Sequence, residues 1–272
     1  HVGLDDTIVV TRSNKRANIF NQGIRNMVLD REEELSQGDI LMIVKNNYYW
    51  MEEERKKLSE ERRVKSEETA FGGRRESQFN SLANLKVPSS NLKVQSNHTV
   101  QSSKFQVQSN EIPAFLANGD RAKVLKVRRR IDLYGFRFAT LLLQFPDYDN
   151  YELEATVLLD TLTSEAPALT HEQQEQLFHQ IEEDYQDIPL KADRMKAIRQ
   201  DQFFNALQVK FAYAVTCHKA QGGQWAHVYV DQGYMTDDML NPDYIHWLYT
   251  AFTRATEMLY LVNWPETQTV QE

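Results

Sequence analysis

The segment Ala214–Trp225, which reads AVTCHKAQGGQW, holds the densest group of side chains suited to chemistry in this sequence. An apolar strand leads into it, so Thr216, His218 and Lys219 are expected where that strand ends. The Gly-Gly pair lets the backbone approach a phosphate closely and point N–H groups at it. The lysine, hydroxyl and imidazole donors suit the phosphates of a nucleic-acid backbone. The alternative is an ordinary polar loop after a strand.

A second candidate is Arg254, in the segment LYTAFTRATEMLYLV. Helical spacing places Thr250 and Arg254 on one side of a predicted helix. The apolar residues of that helix share the opposite face: Ile245, Leu248, Ala251, Phe252 and Ala255. An arginine stays charged, and its planar fork matches the oxygens of a phosphate. The alternative is a solvated arginine on a helix surface.

Together these two segments resemble motifs V and VI of UvrD/RecD-type superfamily 1 helicases, in the same order. TRSNKRANIFNQGIR near the start resembles the motif IV region. GDILMIVKNNYYW and then FLANGDRAKV resemble the NNY and NGD elements of RecD-like members. The resemblance implies an α/β fold of the RecA-like, P-loop NTPase type, with a small antiparallel β-barrel inserted. Two positions depart from the pattern, since Gln224 stands where many relatives have Glu, and Ala122 replaces the last glycine of NGD-x-G.

The resemblance also implies roles for individual residues. ATP would bind between this domain and a first RecA-like domain, with Arg254 as the arginine finger. Gln221 and Gly222 would lie between nucleotide and DNA, and Arg12 and Arg16 would reach the nucleotide, a salt bridge on the helix surface being the alternative. The implied contacts to DNA are Asn14, Asn47, Thr216, His218, Lys219, Arg128, Arg129 and Arg130. Asn47 is equally well explained as a turn-forming residue.

The sequence lacks the parts that bind ATP and Mg²⁺ in such motors. A phosphate-binding loop requires G-x-x-x-x-G-K-[ST], and none of the ten glycines is followed by lysine. No Asp-Glu pair follows an apolar strand to hold Mg²⁺. The chain also starts without Met and enters a strand-like run almost at once. We therefore expect a piece of a longer protein, with ATP and Mg²⁺ held mainly by an upstream domain and no ATP hydrolysis by this chain alone.

The expected function is the C-terminal part of an ATP-dependent DNA helicase that acts on single-stranded and duplex DNA. By implication from RecD-like relatives, it moves in the 5′ to 3′ direction. The alternative is a non-catalytic module that binds DNA or protein and has kept the fold without the motor. A Walker A loop upstream would favour the motor. A nuclease has little support, because no acidic cluster has the spacing of metal ligands.

Composition limits the partners and the location. The net charge is −8, so a contact with DNA must use local patches such as RAKVLKVRRR, which has six positive charges and no negative one. One cysteine excludes an internal disulfide and suits a reducing cytoplasm. No apolar run approaches the ~18–20 residues needed to cross a bilayer, and no signal peptide is evident at the N-terminus. We expect a cytoplasmic protein without a membrane partner.

Hydrophobic periodicity divides the chain into four parts. They are a RecA-like domain from residues 1–50 and 202–272, a flexible low-complexity insertion at 51–110, a β-barrel insert at 111–161 and a helical connection at 162–201. In the first part we predict strands at 8–11, 40–44, 211–215, 228–231 and 258–262, a helix capped by Ser13, and a helix at 243–255. The barrel strands are predicted at 122–127, 136–145 and 152–159.

The insertion yields a prediction of its own. Its repeat NLKVPSS, NLKVQSN, HTVQSS, KFQVQSN buries too little apolar surface to offset an ordering cost of ~1–2 kcal/mol per residue. We expect proteases to cut residues 70–110 first, and deletion of that stretch to leave the melting temperature unchanged. Limited proteolysis and thermal unfolding check this, and a large fall in melting temperature would show that the stretch packs.

Overall fold

The computed structural model describes residues 3–64, 112–236, 239–265 and 268. Residues 51–112 form one compact unit, and residues 1–50 with 113–272 form another. In chain order the elements are β1 (Thr7–Thr11), α1 (Asn14–Gly23), β2 (Ile40–Ile43), α2 (49–64), β3 (Arg121–Leu133), β4 (Phe136–Phe145), β5 (Tyr151–Leu158), α3 (His171–Asp184), α4 (Lys191–Arg199), β6 (Leu207–Phe211), β7 (Ala214–Thr216), α5 (Cys217–Ala220), β8 (Trp225–Asp231), α6 (Pro242–Phe252) and β9 (Ala255–Val262).

A four-stranded parallel sheet in the order β7-β1-β8-β9 forms one part of the larger unit. Its central strand, β1, is buried and pairs on both sides, so that Thr11 stands opposite Thr216 and Asp231. The carboxyl ends of three strands therefore meet at one edge. Helix α1 starts as predicted, because the hydroxyl of Ser13 accepts a hydrogen bond from the backbone N–H of Arg16. The mixed α/β class predicted from the sequence is confirmed.

A closed five-stranded barrel, β2-β3-β4-β5-β6, forms the other part. It extends beyond residues 111–161, since β2 and β6 pair with each other and close the barrel against β3 and β5. Apolar patterning detected Ile40–Ile43 as a strand, but it carries no information on which sheet the strand joins. The predicted turn at Tyr134-Gly135 is confirmed, because both residues have positive φ in the β3–β4 hairpin.

The strand predicted at 211–215 is divided between the two parts. β6 ends at Phe211 in the barrel, and β7 begins at Ala214 in the parallel sheet. Between them, Ala212 donates its N–H to the carbonyl of Ile40, and Val9 donates to the carbonyl of Tyr213. The chain thus passes from barrel to sheet within two residues. The sequence does not reveal this change of sheet, because both strands are buried and their apolar residues form one continuous run.

The helix predicted at 243–255 ends earlier, at Phe252. The side chain of Asn241 accepts a hydrogen bond from the N–H of Tyr244 and caps the helix, which begins at Pro242. Tyr244 faces the interior, whereas Ile245, expected in the core, is 60% exposed. The predicted apolar face is confirmed at Ala251, which is buried, and is wrong at Ile245, whose place in the interior is taken by Tyr244. Arg254 lies in the turn after the helix, so its predicted place on the helix surface was also wrong.

A buried cluster around Asp39 joins the barrel to the sheet. One carboxylate oxygen accepts hydrogen bonds from Arg25 Nε (3.2 Å), Arg31 Nη1 (2.7 Å) and the hydroxyl of Tyr213 (2.9 Å). The other accepts from Arg25 Nη2 (3.1 Å) and the N–H of Ser36 (2.7 Å). Asp39 immediately precedes β2, Arg25 follows α1, and Tyr213 links β6 to β7. Segments of both parts therefore converge on a single carboxylate.

The unit at residues 51–112 is described only at 51–64 and 112. Residues 51–64 belong to α2, whose exposed face carries three i,i+3 ion pairs: Lys56–Glu53, Lys57–Glu54 and Arg63–Glu60. This agrees with a solvated helix, as its composition indicates. The predicted flexibility of 70–110 lies outside the described residues. Over the described ranges, no helix combines the length and apolarity needed to cross a membrane.

The Asp39 cluster gives a stability prediction. Asp39→Ala leaves Arg25, which is 1% exposed, buried without its counter-charge. We expect the free energy of unfolding to fall by about 3–5 kcal/mol, as when one partner of a buried pair is removed. Glu154→Ala, which removes the exposed Arg128–Glu154 pair, is the control and should change stability by less than about 1 kcal/mol. Urea denaturation measures both, and equal losses would contradict the cluster's role.

Candidate functional site

The loop from Thr216 to Gln224 leaves the carboxyl end of β7 and contains one turn of helix, α5. Cys217 and Ala220 are buried and anchor the turn from within. His218 and Gln221 are exposed, and Lys219 is half-buried. The sequence predicted a turn here, and the short helix is the means by which its polar side chains are presented outward. Burial raises the pKa of the Cys217 thiol to about 11, so the thiol stays protonated at neutral pH.

The two glycines of this loop serve different purposes. Gly222 has φ +86°, a conformation that favours glycine, and a Cβ there would meet nothing within 4 Å. A Cβ on Gly223 would stand 2.3 Å from the ring of Trp225. Gly222 is therefore the position where the backbone stays open to a ligand. Gly223 is required because the ring of Trp225 packs against it, whereas the sequence predicted a phosphate contact for both glycines.

Lys219 connects this loop to the barrel. Its ammonium donates a hydrogen bond to the side-chain oxygen of Asn118, in the turn that precedes β3. Partial burial lowers the pKa of Lys219. A groove of about 820 Å³ runs between the two parts, with His218, Lys219 and Gly222 on one wall and Asn118 and Arg121 on the other. The groove is thus the place where sheet loop and barrel face a common ligand.

A narrow pocket beside this groove brings several predicted contacts together. Asn14, from α1, lines it together with Thr216 and Lys219 of the 216–224 loop. The sequence analysis missed a fourth member, Lys210, which donates to the carbonyls of Thr161 (3.2 Å) and Ser164 (2.5 Å). Burial, and then the charge of Lys219, lower the pKa of Lys210 to about 8. The sequence did offer a sign of this residue, because Lys210 is the one charged residue in the apolar strand LQVKF.

Arg254 is held by the same loop. Its Nη1 donates to the carbonyl of Gly223, its Nε to the carbonyl of Thr250, and its Nη2 to the hydroxyl of Thr253, each at 3.0 Å. Its own carbonyl accepts the N–H of Trp225 at 2.9 Å. The arginine is neither solvated nor free. It fixes the end of the 216–224 loop to the end of α6.

Arg12 lies at a second cavity, of about 460 Å³, between the loop and α6. Its guanidinium stands over the rings of Tyr244 and Trp247, at 5.8 and 5.7 Å from their centroids, and contacts the sulfur of Met235. Gln221 and Thr250 also line the cavity. Trp247 Nε1 is buried without a hydrogen-bond partner among the described residues. The cavity therefore offers a stacked cation and polar groups to a ligand.

Arg16 is committed to an ion pair. Its Nε and Nη2 donate to the two carboxylate oxygens of Asp231 at 2.9 and 2.6 Å, and this partner raises the pKa of Arg16. Asp231 is fully buried and also accepts from the amide of Asn263 at 3.1 Å. The bidentate pair connects α1 to the end of β8. The salt bridge that was the alternative for Arg16 is thus present.

The remaining predicted DNA contacts are partly engaged within the fold. Asn47 donates its amide to the carbonyl of Asn205 at 2.9 Å and accepts the N–H of Trp50 at 3.3 Å, as a turn-forming residue does. In the basic run on β3, Arg129 is exposed, while its two neighbours are paired. Those pairs are Arg128 with Glu154 and Arg130 with Glu33. None of the three arginines lines the grooves around Lys219.

Metal binding has no evident site in the part of the chain that the structure describes. Those residues hold no group of three or more His, Cys, Asp or Glu side chains that could hold a metal ion. The groove beside Lys219 combines the cations Lys219 and Arg121 with the carboxylates of Asp120 and Asp147.

A comparison with known families bears on the last part of the chain. Residues 211–262 match the UvrD-like helicase C-terminal domain. This segment is thus similar to the C-terminal domain of UvrD-like helicases. It contains both the 216–224 loop and Arg254, so the predicted resemblance to UvrD-type helicases is confirmed there. A search of curated proteins found no match to the chain.

The contact between Gly223 and Trp225 in this segment can be tested by substitution. Gly223→Ala forces the Trp225 ring, which is 7% exposed, out of its place. We expect a loss of about 1–3 kcal/mol in stability, as for other overpacked sites, together with a red shift of tryptophan emission. Gly23→Ala is the control, because nothing lies within 4 Å of that Cβ. Unchanged stability in Gly223→Ala would contradict the packing role.

Proposed function

We propose that this chain is the second RecA-like domain of a RecD-like, ATP-dependent DNA helicase. One observation carries the proposal: His218 and Gln221 line both the groove beside Lys219 and the cavity beside Arg12. One short loop is therefore in contact with two ligand sites. A loop so placed is suited to couple a change at a nucleotide to a change at DNA.

The groove beside Lys219 is the proposed DNA site. Lys219 and Arg121 bring positive charge to the groove, which Asp120 and Asp147 also line, and Lys210 lies in the adjoining narrow pocket. Thr216, Asn14 and His218 add hydrogen-bond donors of the kind that bind a phosphate backbone. Such contacts fix the position of a strand without reading its sequence, as a translocating motor requires. Single-stranded DNA and the duplex ahead of it are the proposed partners.

The cavity beside Arg12 is the proposed nucleotide side. Arg12 lines this cavity, and Arg254 lies next to it, because its Nε donates to the carbonyl of the lining residue Thr250. The chain has no P-loop and no described carboxylate cluster for Mg²⁺. ATP and Mg²⁺ are accordingly assigned mainly to a separate P-loop domain, where ATP would supply the phosphoryl group that is transferred to water and Mg²⁺ would neutralise its charge. Arg254 stabilises the charge that develops on that group.

A second candidate function is a non-catalytic binding module. It is favoured by the three hydrogen bonds of Arg254, which occupy all three guanidinium nitrogens within the fold. The guanidinium has five N–H donors, so two remain that a finger would offer to phosphate. In the motor, exchanging the carbonyl of Gly223 would release the end of the DNA-binding loop when ATP is bound. The direction of movement, 5′ to 3′, is proposed from the RecD-like resemblance.

The motor and the module are distinguished by Arg254→Ala in the polypeptide that contains the P-loop domain. We expect DNA-stimulated ATP turnover to fall by about 10³–10⁵, mainly in kcat, because a finger acts in the transition state. Affinity for DNA should barely change. Arg254→Lys, which keeps the charge and loses the planar fork, should recover only a small part of the rate. An unchanged kcat would assign Arg254 to the fold alone and favour the module.

Lys219→Ala tests the DNA side independently. We expect weaker binding of single-stranded DNA and a shallower dependence of affinity on salt, by about one phosphate contact. Lys191→Ala, on the exposed α4, is a matched control that should leave the salt dependence as it is. Fluorescence anisotropy over a series of salt concentrations measures both. Identical slopes for all three proteins would remove Lys219 from the proposed interface.

A further inference from the structure

A third cavity, of about 240 Å³, lies on the barrel side of the molecule, after β2. Tyr48 and Phe204 contribute aromatic surface to it, and Lys45 lies at its edge. Every residue that lines it is described, and none of them is an acid, although the chain as a whole is acidic. Pockets for drug-sized ligands measure about 300–1,000 Å³. This cavity is smaller, and it suits one planar ring system.

Tyr48 is exposed and yet held in place. Its ring stacks on Phe115 with the centroids 4.8 Å apart and an interplanar angle of 27°, while 54% of its surface remains exposed. The backbone holds the two rings together. Asn47, just before Tyr48, and Leu116, just after Phe115, exchange two backbone hydrogen bonds of 2.9 and 2.8 Å. Tyr48 also lines the cavity, and Phe115 does not. A rigid aromatic ring with exposed surface is the usual platform for a nucleobase.

A chain of hydrogen bonds leads from the proposed DNA groove to this platform. Lys219 donates to the side chain of Asn118, whose own backbone N–H donates to the side-chain oxygen of Asn46 at 2.7 Å. Asn46 and Lys45 line the cavity beside Tyr48. A strand that leaves Lys219 can therefore follow a polar surface to the aromatic ring. The positive charge of Lys45 complements a phosphate at that point.

We propose that Tyr48 is a base-stacking residue for single-stranded DNA, with one base against its ring and the adjoining phosphate near Lys45. The proposal rests on the proposed function, since it extends the same DNA path. Stacking on Tyr48 requires a base whose face is exposed, so a paired duplex does not satisfy the site. The stack is independent of base identity, because every base has a π-face.

The test compares Tyr48→Ala, Tyr48→Phe and the unaltered chain by fluorescence anisotropy on an oligothymidylate and on an abasic strand of equal length. We expect Tyr48→Ala to weaken binding of oligothymidylate about tenfold or more. The same variant should bind the abasic strand as the unaltered chain does, since no base is available to stack. Tyr48→Phe should retain the affinity. Tyr249→Ala removes another exposed tyrosine, 72% exposed on α6, and should have no effect.

The outcomes separate this inference from the proposed function. If Lys219→Ala weakens binding and Tyr48→Ala does not, the stacking role is overturned and the DNA groove stands. An equal loss on both strands would also overturn it, because a base stack cannot act on an abasic strand. If the unaltered chain binds neither strand, both the proposed function and the inference fail. Thermal unfolding of each variant confirms that the proteins compared are folded.

Discussion

Asp39 is a fully buried carboxylate at the junction of barrel and sheet, and the positions of the candidate site depend on it. Arg25 and Arg31 each carry a positive charge to this single acid, and Tyr213 adds a hydroxyl. Arg25 also stands 4.3 Å from the centroid of the Phe211 ring, so the strand leaving the barrel is held by the same guanidinium. A buried charge is costly when unpaired. The cluster therefore favours one arrangement of the chain segments that leave barrel and sheet.

That arrangement brings three loops to a common surface. The loop at 216–224 continues from β7, the turn at Asn118 precedes β3, and the segment at 45–48 follows β2. β2 begins directly after Asp39 and β7 directly after Tyr213, while β3 is linked to Asp39 because Val124 donates its N–H to the carbonyl of Asp39 at 2.8 Å. The Lys219–Asn118 and Asn118–Asn46 hydrogen bonds then connect the loops directly. In the UvrD-like region, Arg254 holds the other end of the first loop, so a change at this arginine can reach the surface that we assign to DNA.

Local patterns predicted much of the secondary structure and part of the site. The cap at Ser13, the strand at 136–145 and the segments around Thr216 and Arg254 were all evident from periodicity and residue type. Pairing between distant strands was not, because alternation gives burial and not the identity of a neighbour. For that reason, the closure of the barrel by β2 and β6 and the Asp39 cluster appear only in the structure. Lys210 was hidden within an apolar strand, and the hydrogen bonds of Arg254 depend on where α6 ends.

Hydrogen–deuterium exchange of the chain, free and saturated with single-stranded DNA, tests most directly whether these three loops form one DNA-binding surface. Backbone amides at 216–224, at 45–48 and around Asn118 should exchange more slowly in the complex, since ligand contact suppresses local opening. The strand with Arg128–Arg130, two of whose arginines are paired with acids, should exchange as in the free protein. Protection confined to that basic strand, or no protection at the three loops, would contradict the shared surface.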